Sequence, residues 1–331
     1  MAKVAIVLPI YDVELYLRRC LDTVTAQTLQ DIEIILATDG PAACDDICQE
    51  YAQKDSRIKL IMHPGGYGLA VNKGIERATG EYIGIVETDD WLDLTMFEKL
   101  YAMAIRHNAD MCKGAFYTSY DAEPKFATVY TDIPEGEFHL KDYPRILSYQ
   151  PSIWSSIYKK SFLDEQDIRF MNKRISFIDT PFHLETFVKA KKIAFVNEPL
   201  YYYYQDNHTQ SVKSEENILD GLESEAFFYQ KYDLSHTDEC IYEALLFSTT
   251  LHMVWNYKRI TSRENKGIFW NSARIFLHKI MIRPLKFTEF NLKQKIFLKE
   301  ILYSPYHIVC DISLTLYSIL TTLLRLLGNI R

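Results

Sequence analysis

Gly80-Glu81-Tyr82-Ile83-Gly84-Ile85-Val86-Glu87-Thr88-Asp89-Asp90-Trp91-Leu92-Asp93 is an apolar run that ends in a crowd of carboxylates. Tyr82 to Val86 carries no charge and no polar alternation, the pattern of a strand covered on both faces. Glu87, Asp89 and Asp90 then fall within four residues and repel one another. A solvated acidic turn is the plainer reading. At the mouth of a buried parallel strand, such crowding is tolerable where a divalent cation neutralises it. Hard oxygen ligands suit Mg2+ or Mn2+, ions that bridge carboxylates to a diphosphate.

Upstream of this stretch the same grammar repeats. Val4–Leu8, Ile32–Ala37 and Ile58–Met62 read as strands. Val13 to Ala26, with Leu17, Leu21 and Val24 on one face, reads as a helix, as do Ala42–Gln53 and Leu69–Ala78. Asp93 is placed to cap a helix through Phe97, Leu100, Tyr101, Ala104 and Ile105. Near-continuous apolar strands alternating with helices predict an α/β fold with a mostly parallel sheet covered on both faces. Ligands of such sheets bind beyond the carboxyl ends of the strands. Downstream the order loosens. Phe116 to Tyr143 is rich in turns, Ser161 to Ala190 is helical around an irregular segment, and Ile193–Val196 and Tyr201–Tyr204 read as strands. From Glu215 onward the chain reads as helices. The expected division is therefore 1–214 and 215–331.

With 331 residues and 48% hydrophobic content, the chain has ample material for a core. Its 23 Tyr suit surfaces that are at once apolar and hydrogen-bonding, although a Tyr-rich core explains them as well. Six Cys are present, and Cys44 and Cys48 are the close pair; no second pair at zinc spacing follows, so all six are expected as reduced thiols in a reducing compartment. The net charge of −7 hides an asymmetry: Leu251 to Arg331 holds 13 Lys and Arg against 4 Asp and Glu, a net of +9, leaving −16 for the rest. That split points the basic end at something anionic. The overall negative charge, and the lack of base-stacking motifs among the basic residues, argue against a nucleic acid.

Four more clusters fall where a parallel sheet would bind a ligand. Pro9-Ile10-Tyr11-Asp12 ends the first strand; Tyr11 can stack on a base and Asp12 accept from it, or the group is a plain turn. Thr38-Asp39-Gly40 ends the second; Asp39 can take a base N–H, or cap an Asp-Gly turn. Pro64-Gly65-Gly66-Tyr67-Gly68 precedes a helix bearing Asn72 and Lys73, as a phosphate-cradling loop would. Its glycine spacing matches neither a P-loop nor a dinucleotide fingerprint, and a flexible turn explains it equally well. Ile178-Asp179-Thr180-Pro181-Phe182 looks like a helix cap with Pro in the first turn.

Taken in order, these blocks resemble the family 2 glycosyltransferases of GT-A fold. The third block carries most of the likeness: Gly65-Gly66-Tyr67-Gly68-Leu69-Ala70-Val71-Asn72-Lys73-Gly74-Ile75-Glu76-Arg77-Ala78-Thr79-Gly80-Glu81-Tyr82-Ile83. Weaker likeness runs through Trp154–Lys160, the Asp179 segment and Pro199–Tyr204, and stops near Glu215. The resemblance implies that Asp39 reads the nucleotide base, usually uracil, in a pocket lined by Pro9, Tyr11 and Asp12. Gly66, Asn72, Lys73, Glu87 and Thr88 would serve the donor, and Asp89 would hold the metal, followed by Asp90. Asp179 would be the general base of an inverting enzyme. Three positions depart from the pattern: Glu87 stands where relatives have Asp, Val71 where many have Arg, and Ile178 where Glu is usual. These departures give some weight to a non-catalytic nucleotide- or sugar-binding module on the same fold. A nucleotidyltransferase is disfavoured, since no Gly-rich basic loop follows the first strand.

The implied reaction is metal-dependent hexosyl transfer from a nucleotide-sugar donor, with inversion, to a glycan or lipid-linked glycan. Gln205 to Ser211 is a polar segment able to close over the donor; His208 in it can reach a phosphate, although a lone loop histidine is more often simply exposed. Ile308 to Leu327 is apolar and uncharged from Ile312 to Leu324, short of the roughly 20 residues that span a bilayer. With Arg274, Lys279, Arg283, Lys286, Lys293, Lys295 and Lys299 it suits an anionic membrane surface, or else packing on the catalytic domain or a homo-oligomer partner. The expected location is the cytoplasm, including the cytoplasmic face of the membrane.

Overall fold

The structure is a computed structural model that describes residues 2–121, 125–207, 214–284 and 291–304. It divides into two compact units, one of Met1–Tyr143 with Gln150–Gln210, the other of Pro144–Tyr149 with Ser211–Arg331.

The first unit is built on one ten-stranded sheet. Chain order runs β1 (Val4–Ile10), α1 (Glu14–Thr25), β2 (Ile32–Thr38), α2 (Ala42–Lys54), β3 (Ile58–Met62), α3 (Tyr67–Arg77), β4 (Tyr82–Ile85), β5 (Trp91–Leu92) and α4 (Met96–His107). Then come β6 (Met111–Ser119), β7 (Phe126–Thr128), β8 (Gly136–Phe138), β9 (Ser156–Lys159), α5 (Lys160–Glu165), α6 (Asp179–Lys189) and β10 (Ile193–Tyr204). The strands lie in the order β3-β2-β1-β4-β9-β6-β10-β5, with β7 beside β6 and β8 beside β10. β1 pairs in parallel with β2 and β4, β2 with β3, and β6 with β10, while β9 runs antiparallel between β4 and β6. This is the mostly parallel α/β sheet expected from the alternating runs. All seven residues of β1 and of β2 are buried, so each Val, Ile or Leu there contributes about 1.5–3 kcal/mol by leaving water. The carboxyl ends of β1, β2 and β4 share one edge, which sets the residues after Ile10, Thr38 and Ile85 side by side.

Several local expectations are corrected. Pro9 does not end the ladder: it pairs with Ala37 inside β1. It is tolerated because β4 pairs only as far as Val7↔Ile85, so the missing N–H faces a side the partner strand has already left. The residue capping α4 is Thr95; Asp93 lies two residues earlier, where its Oδ1 accepts from Thr95 N at 2.9 Å and Thr95 Oγ1 at 2.6 Å. The two short strands expected near 193–204 are one strand, β10, whose register on β6 shifts on both sides of Pro199. β6 itself was hidden, because a lysine, Lys113, sits at its buried centre.

The second unit is helical: α7 (Glu215–Lys231), α8 (Glu239–Arg259), α9 (Arg263–Ile280) and α10 (Leu292–Tyr303), joined by the turn Pro144–Ser148. α8 is apolar nearly all round and forms the centre, with Ser248 Oγ donating to Leu147 O at 2.8 Å. Trp270 packs with Tyr257 and Phe297. Asn291 and Gln294 form a reciprocal capping box at the start of α10. Cys20, Cys44, Cys48 and Cys112 are buried free thiols and Cys240 is an exposed one. Among the described residues, no helix is long and apolar enough to cross a membrane. Cys310 and the Ile308–Leu327 stretch lie outside the described residues, as do Lys286 and His208.

Candidate active site

At the carboxyl edge, Asp39 follows β2 and donates its own N–H to Ile10 O at 3.0 Å, which ties the ends of β1 and β2 together. Tyr11 is 69% exposed beside it, and Asp12 takes the left-handed φ of 52° that turns the chain into α1. Asp39 Oδ1 accepts from Gly65 N at 3.3 Å, and Oδ2 faces Arg174 Nη2 at 3.4 Å. Gly65 and Gly66 have φ of 100° and 116°, values that only glycine adopts without strain. Gly66 precedes α3 with no side-chain cap, so the cap residue leaves the first N–H groups of that helix without a side-chain acceptor. Lys73 Nζ donates to Pro64 O at 2.9 Å, just before the Gly65-Gly66 turn.

The acidic turn after β4 separates its three carboxylates by role. Asp90 is fully buried; its Oδ2 accepts from Tyr201 Oη and its Oδ1 from Tyr204 N, both at 2.7 Å. Burial, then the charge of Asp89, push Asp90 well above the ordinary carboxylate range. Thr88 is buried too, with its hydroxyl donating to Pro9 O at 3.1 Å. Glu87 faces inward and accepts from the Tyr67 hydroxyl. Burial drives Glu87 up to about 8, against the Tyr67 bond and with help from Asp89 and Asp179. Asp89 is also raised by burial; its Oδ2 accepts from Asn207 Nδ2 at 2.8 Å, and its carbonyl accepts from Arg19 Nη2 at 3.1 Å. Arg19 lies 3.8 Å over the Trp91 ring and 4.7 Å over Tyr204, which holds its guanidinium in place.

Asp179 is the first residue of α6, where its Oδ1 accepts from Thr180 N at 3.0 Å and the helix N-terminus favours its charge. That charge acts on Glu87, Tyr67 and Tyr203, raising each of them beyond what burial alone does. The segment leading to Asp179 is stapled to α3. Asn72, 6% exposed, accepts from Phe170 N and donates to Phe170 O and Asn172 Oδ1, all at 2.9 Å.

The structure thus brings together Tyr11, Asp12, Asp39, Gly66, Glu87, Asp89 and Asp179. Five others are engaged with the protein itself. Pro9, Thr88 and Asp90 tie the strand ends together from within, Asn72 holds the 170 segment, and Lys73 is turned to Pro64. Sequence reasoning missed Arg19, Tyr67, Arg174, Tyr201 and Asn207. The Tyr run at 201–204 and the polar segment beginning at Gln205 were the available signals for Tyr201 and Asn207. Arg19 and Arg174 gave none, because surface arginines are common.

The donor set admits a divalent cation on restricted terms. Among the described residues, no three His, Cys, Asp or Glu side chains converge on one ion. Asp90 has both oxygens engaged. Asp89 offers a hard carboxylate at the mouth, and Mg2+ in particular is commonly held by one or two carboxylates plus substrate phosphates and water. The residues present fit an ion held by Asp89 and completed by a diphosphate.

Comparison with known proteins agrees with this fold. A family model described as Glycosyl transferase family 2 matches residues 5–174. The chain is 30% identical over 253 residues to an uncharacterized glycosyltransferase, EpsJ, of Bacillus subtilis (strain 168), covering 70% of this chain and 71% of that one. The crystal structure of S. aureus TarS in complex with UDP-GlcNAc has a similar fold, with a TM-score of 0.71 at 17% identity, over 84% of this chain and 81% of that one. A mannosyltransferase of Pyrobaculum calidifontis in complex with GDP-Man and Mn2+ matches with a TM-score of 0.55 at 11% identity, over 93% and 83% of the two chains.

Proposed function

The chain belongs to glycosyl transferase family 2, and on that premise we propose that it moves a hexosyl group from a nucleotide-sugar, a UDP-sugar first, to a hydroxyl of a glycan or lipid-linked glycan in cell-surface polysaccharide synthesis. The observation that carries this reading is the meeting of Glu87, Asp89 and Asp179 at the end of β4, close enough that both aspartates raise Glu87. Uridine is favoured by the UDP-GlcNAc complex of the similarly folded TarS.

Tyr11, Asp12 and Asp39 receive the nucleotide base. A divalent cation at Asp89, as with the Mn2+ of the mannosyltransferase, would offset diphosphate charge. Asp179 takes the proton of the acceptor hydroxyl as its oxygen attacks the anomeric carbon. The bond from that carbon to the phosphate oxygen breaks on the opposite face, so an α-linked donor gives a β-linked product. Glu87 and the Tyr67 hydroxyl flank the sugar.

Hydrolysis of UDP-, GDP- and dTDP-sugars, with and without Mn2+, tests this. One nucleotide released in a metal-dependent way, and lost in Asp89→Ala, is expected. No turnover even with lipid-linked acceptors, together with no nucleotide binding by calorimetry, refutes it.

Membrane association is proposed for the helical unit. α9 turns Ile268 and Ile275 outward, 48% and 69% exposed, with Ile282 at 51% just beyond, beside His278 and Lys279. An apolar stripe beside basic groups suits an anionic interface. Flotation with phosphatidylglycerol but not phosphatidylcholine vesicles is expected. A dimer by light scattering with no flotation would assign the stripe to a second copy instead.

A further inference from the structure

The loop between Asn172 and Phe177 leaves the body of the first unit and returns to the same place. Its two ends meet at Gly68: a Cβ there would lie 2.1 Å from Met171 O and 3.3 Å from Ile178 Cδ1. The near end is also held by Asn72, and the far end runs directly into Asp179. Phe177 adopts φ of 63°, a strained value for a bulky residue of the kind that collects at functional sites. The loop is therefore a fixed strap with an exposed crest.

That crest carries Arg174 across the Gly65-Gly66 turn. The arginine stem lies over Gly66, where a Cβ would meet Arg174 Cγ at 3.2 Å, and Nε donates to Gly65 O at 3.4 Å. Nη2 faces Asp39 Oδ2 at 3.4 Å. Asp39 is only 16% exposed while Arg174 is 75% exposed, so the cation, not the carboxylate, is the part able to move. Gly65 N lies on its other oxygen, and the guanidinium and its stem cover the approach to Asp39 from the Gly65-Gly66 side, so a base meeting this carboxylate competes with Arg174 for it. An ion pair whose cation is this exposed adds little stability, so a ligand can displace it.

We propose that Arg174 is a donor-diphosphate ligand held in reserve on Asp39. The entering base takes the Asp39 carboxylate, and the released guanidinium pairs with the diphosphate beside the Gly65-Gly66 turn. The cleft presents the carboxylates of Asp39, Asp89 and Asp179 to an anionic donor, so a mobile cation serves both states: it neutralises Asp39 when the site is empty and phosphate when it is full. Guanidinium forks match phosphate oxygens in pairs. This rests on the reading of Asp39 as the base-binding residue, and it predicts selectivity for nucleoside diphosphates over nucleosides.

Calorimetric titration of the full chain with UDP and with uridine tests the exchange. Arg174→Ala is expected to weaken UDP binding about tenfold while leaving uridine binding equal or tighter, with Arg174→Lys recovering part of the loss. Equal UDP affinity in wild type and Arg174→Ala, or proportional loss of both ligands, overturns the exchange. Failure of the wild type to bind UDP at all would instead sink the uridine donor on which the proposal rests. Arg174 is exposed, so circular dichroism of the variant is expected to match wild type.

Discussion

The Tyr201 hydroxyl bridges the two halves of the acidic turn: it donates to Asp90 Oδ2 at 2.7 Å and accepts from Glu87 N at 3.1 Å. Tyr201 is fully buried on β10, a strand more than a hundred residues away in sequence, and Trp154 stacks on its ring at 4.2 Å. The turn that bears Glu87 and Asp89 is thus held from a distant part of the sheet. Tyr201→Phe keeps the packing and removes only the bridge. It leaves a buried acceptor and a buried donor without a partner, at about 1–3 kcal/mol each. A lower Tm and reduced donor turnover are expected together. An unchanged Tm would mean the turn is held by other bonds.

Asp39 faces the crest of the strap at Arg174 and Asp179 follows its far end, and their variants separate kinetically. Asp179→Asn keeps the shape and loses the base, so kcat falls by about 10²–10⁴ with little change in donor KM. Asp39→Ala raises donor KM with kcat less affected, because the base contact is the same in ground and transition states. Steady-state kinetics on each variant decides this; a kcat loss confined to Asp39→Ala would reverse the assignment.

Asn72, a donor contact on the family resemblance, holds Phe170 and Asn172 through three hydrogen bonds. Asn72→Ala leaves Phe170 N and O buried without their partner and is expected to cost about 2–4 kcal/mol. Asn72→Asp keeps the acceptor for Phe170 N and loses both donors, so its Tm falls between the two. If the alanine variant melts like wild type while donor KM rises, the sequence-based reading stands and the staple does not matter.

This case marks where sequence legibility ends. Strands β1 to β4 were readable because each is a mostly apolar run of four to seven residues, and the candidate site lies where such strands end. The blocks after them singled out Asp39, Glu87, Asp89 and Asp179 as candidates. Which polar residue faces the ligand and which faces the protein was not readable. Asp89 and Asp90 are chemically alike and adjacent, and only the arrival of Tyr201 and Tyr204 from β10 distinguishes them. Arg19 and Arg174 acquire their roles from contacts seventy and 135 positions away. Such pairings are set by tertiary packing and leave no local period.

Lys113 is a buried lysine outside the cleft. It is fully buried on β6, and its Nζ donates to Ser152 O at 2.9 Å, Ser152 Oγ at 2.7 Å and Ser155 Oγ at 2.9 Å. The Tyr130 ring lies 5.8 Å from it, and no carboxylate pairs with it in these contacts. Burial therefore pushes the ammonium down to about 7. An unfolded lysine holds its proton to about pH 10.4. Between these values the unfolded chain binds more protons than the folded one, so stability from this group rises with pH. Its penalty is fully present below about pH 7 and is relieved on approaching pH 10. Lys113→Met removes the titration while it also loses the three bonds to the turn. Its stability relative to wild type is expected to be most favourable at pH 6 and to worsen steadily toward pH 9. Denaturant melts of both proteins at those two pH values measure the difference. A gap that does not change with pH would mean that Lys113 keeps its proton in the fold, held by the three serine oxygens.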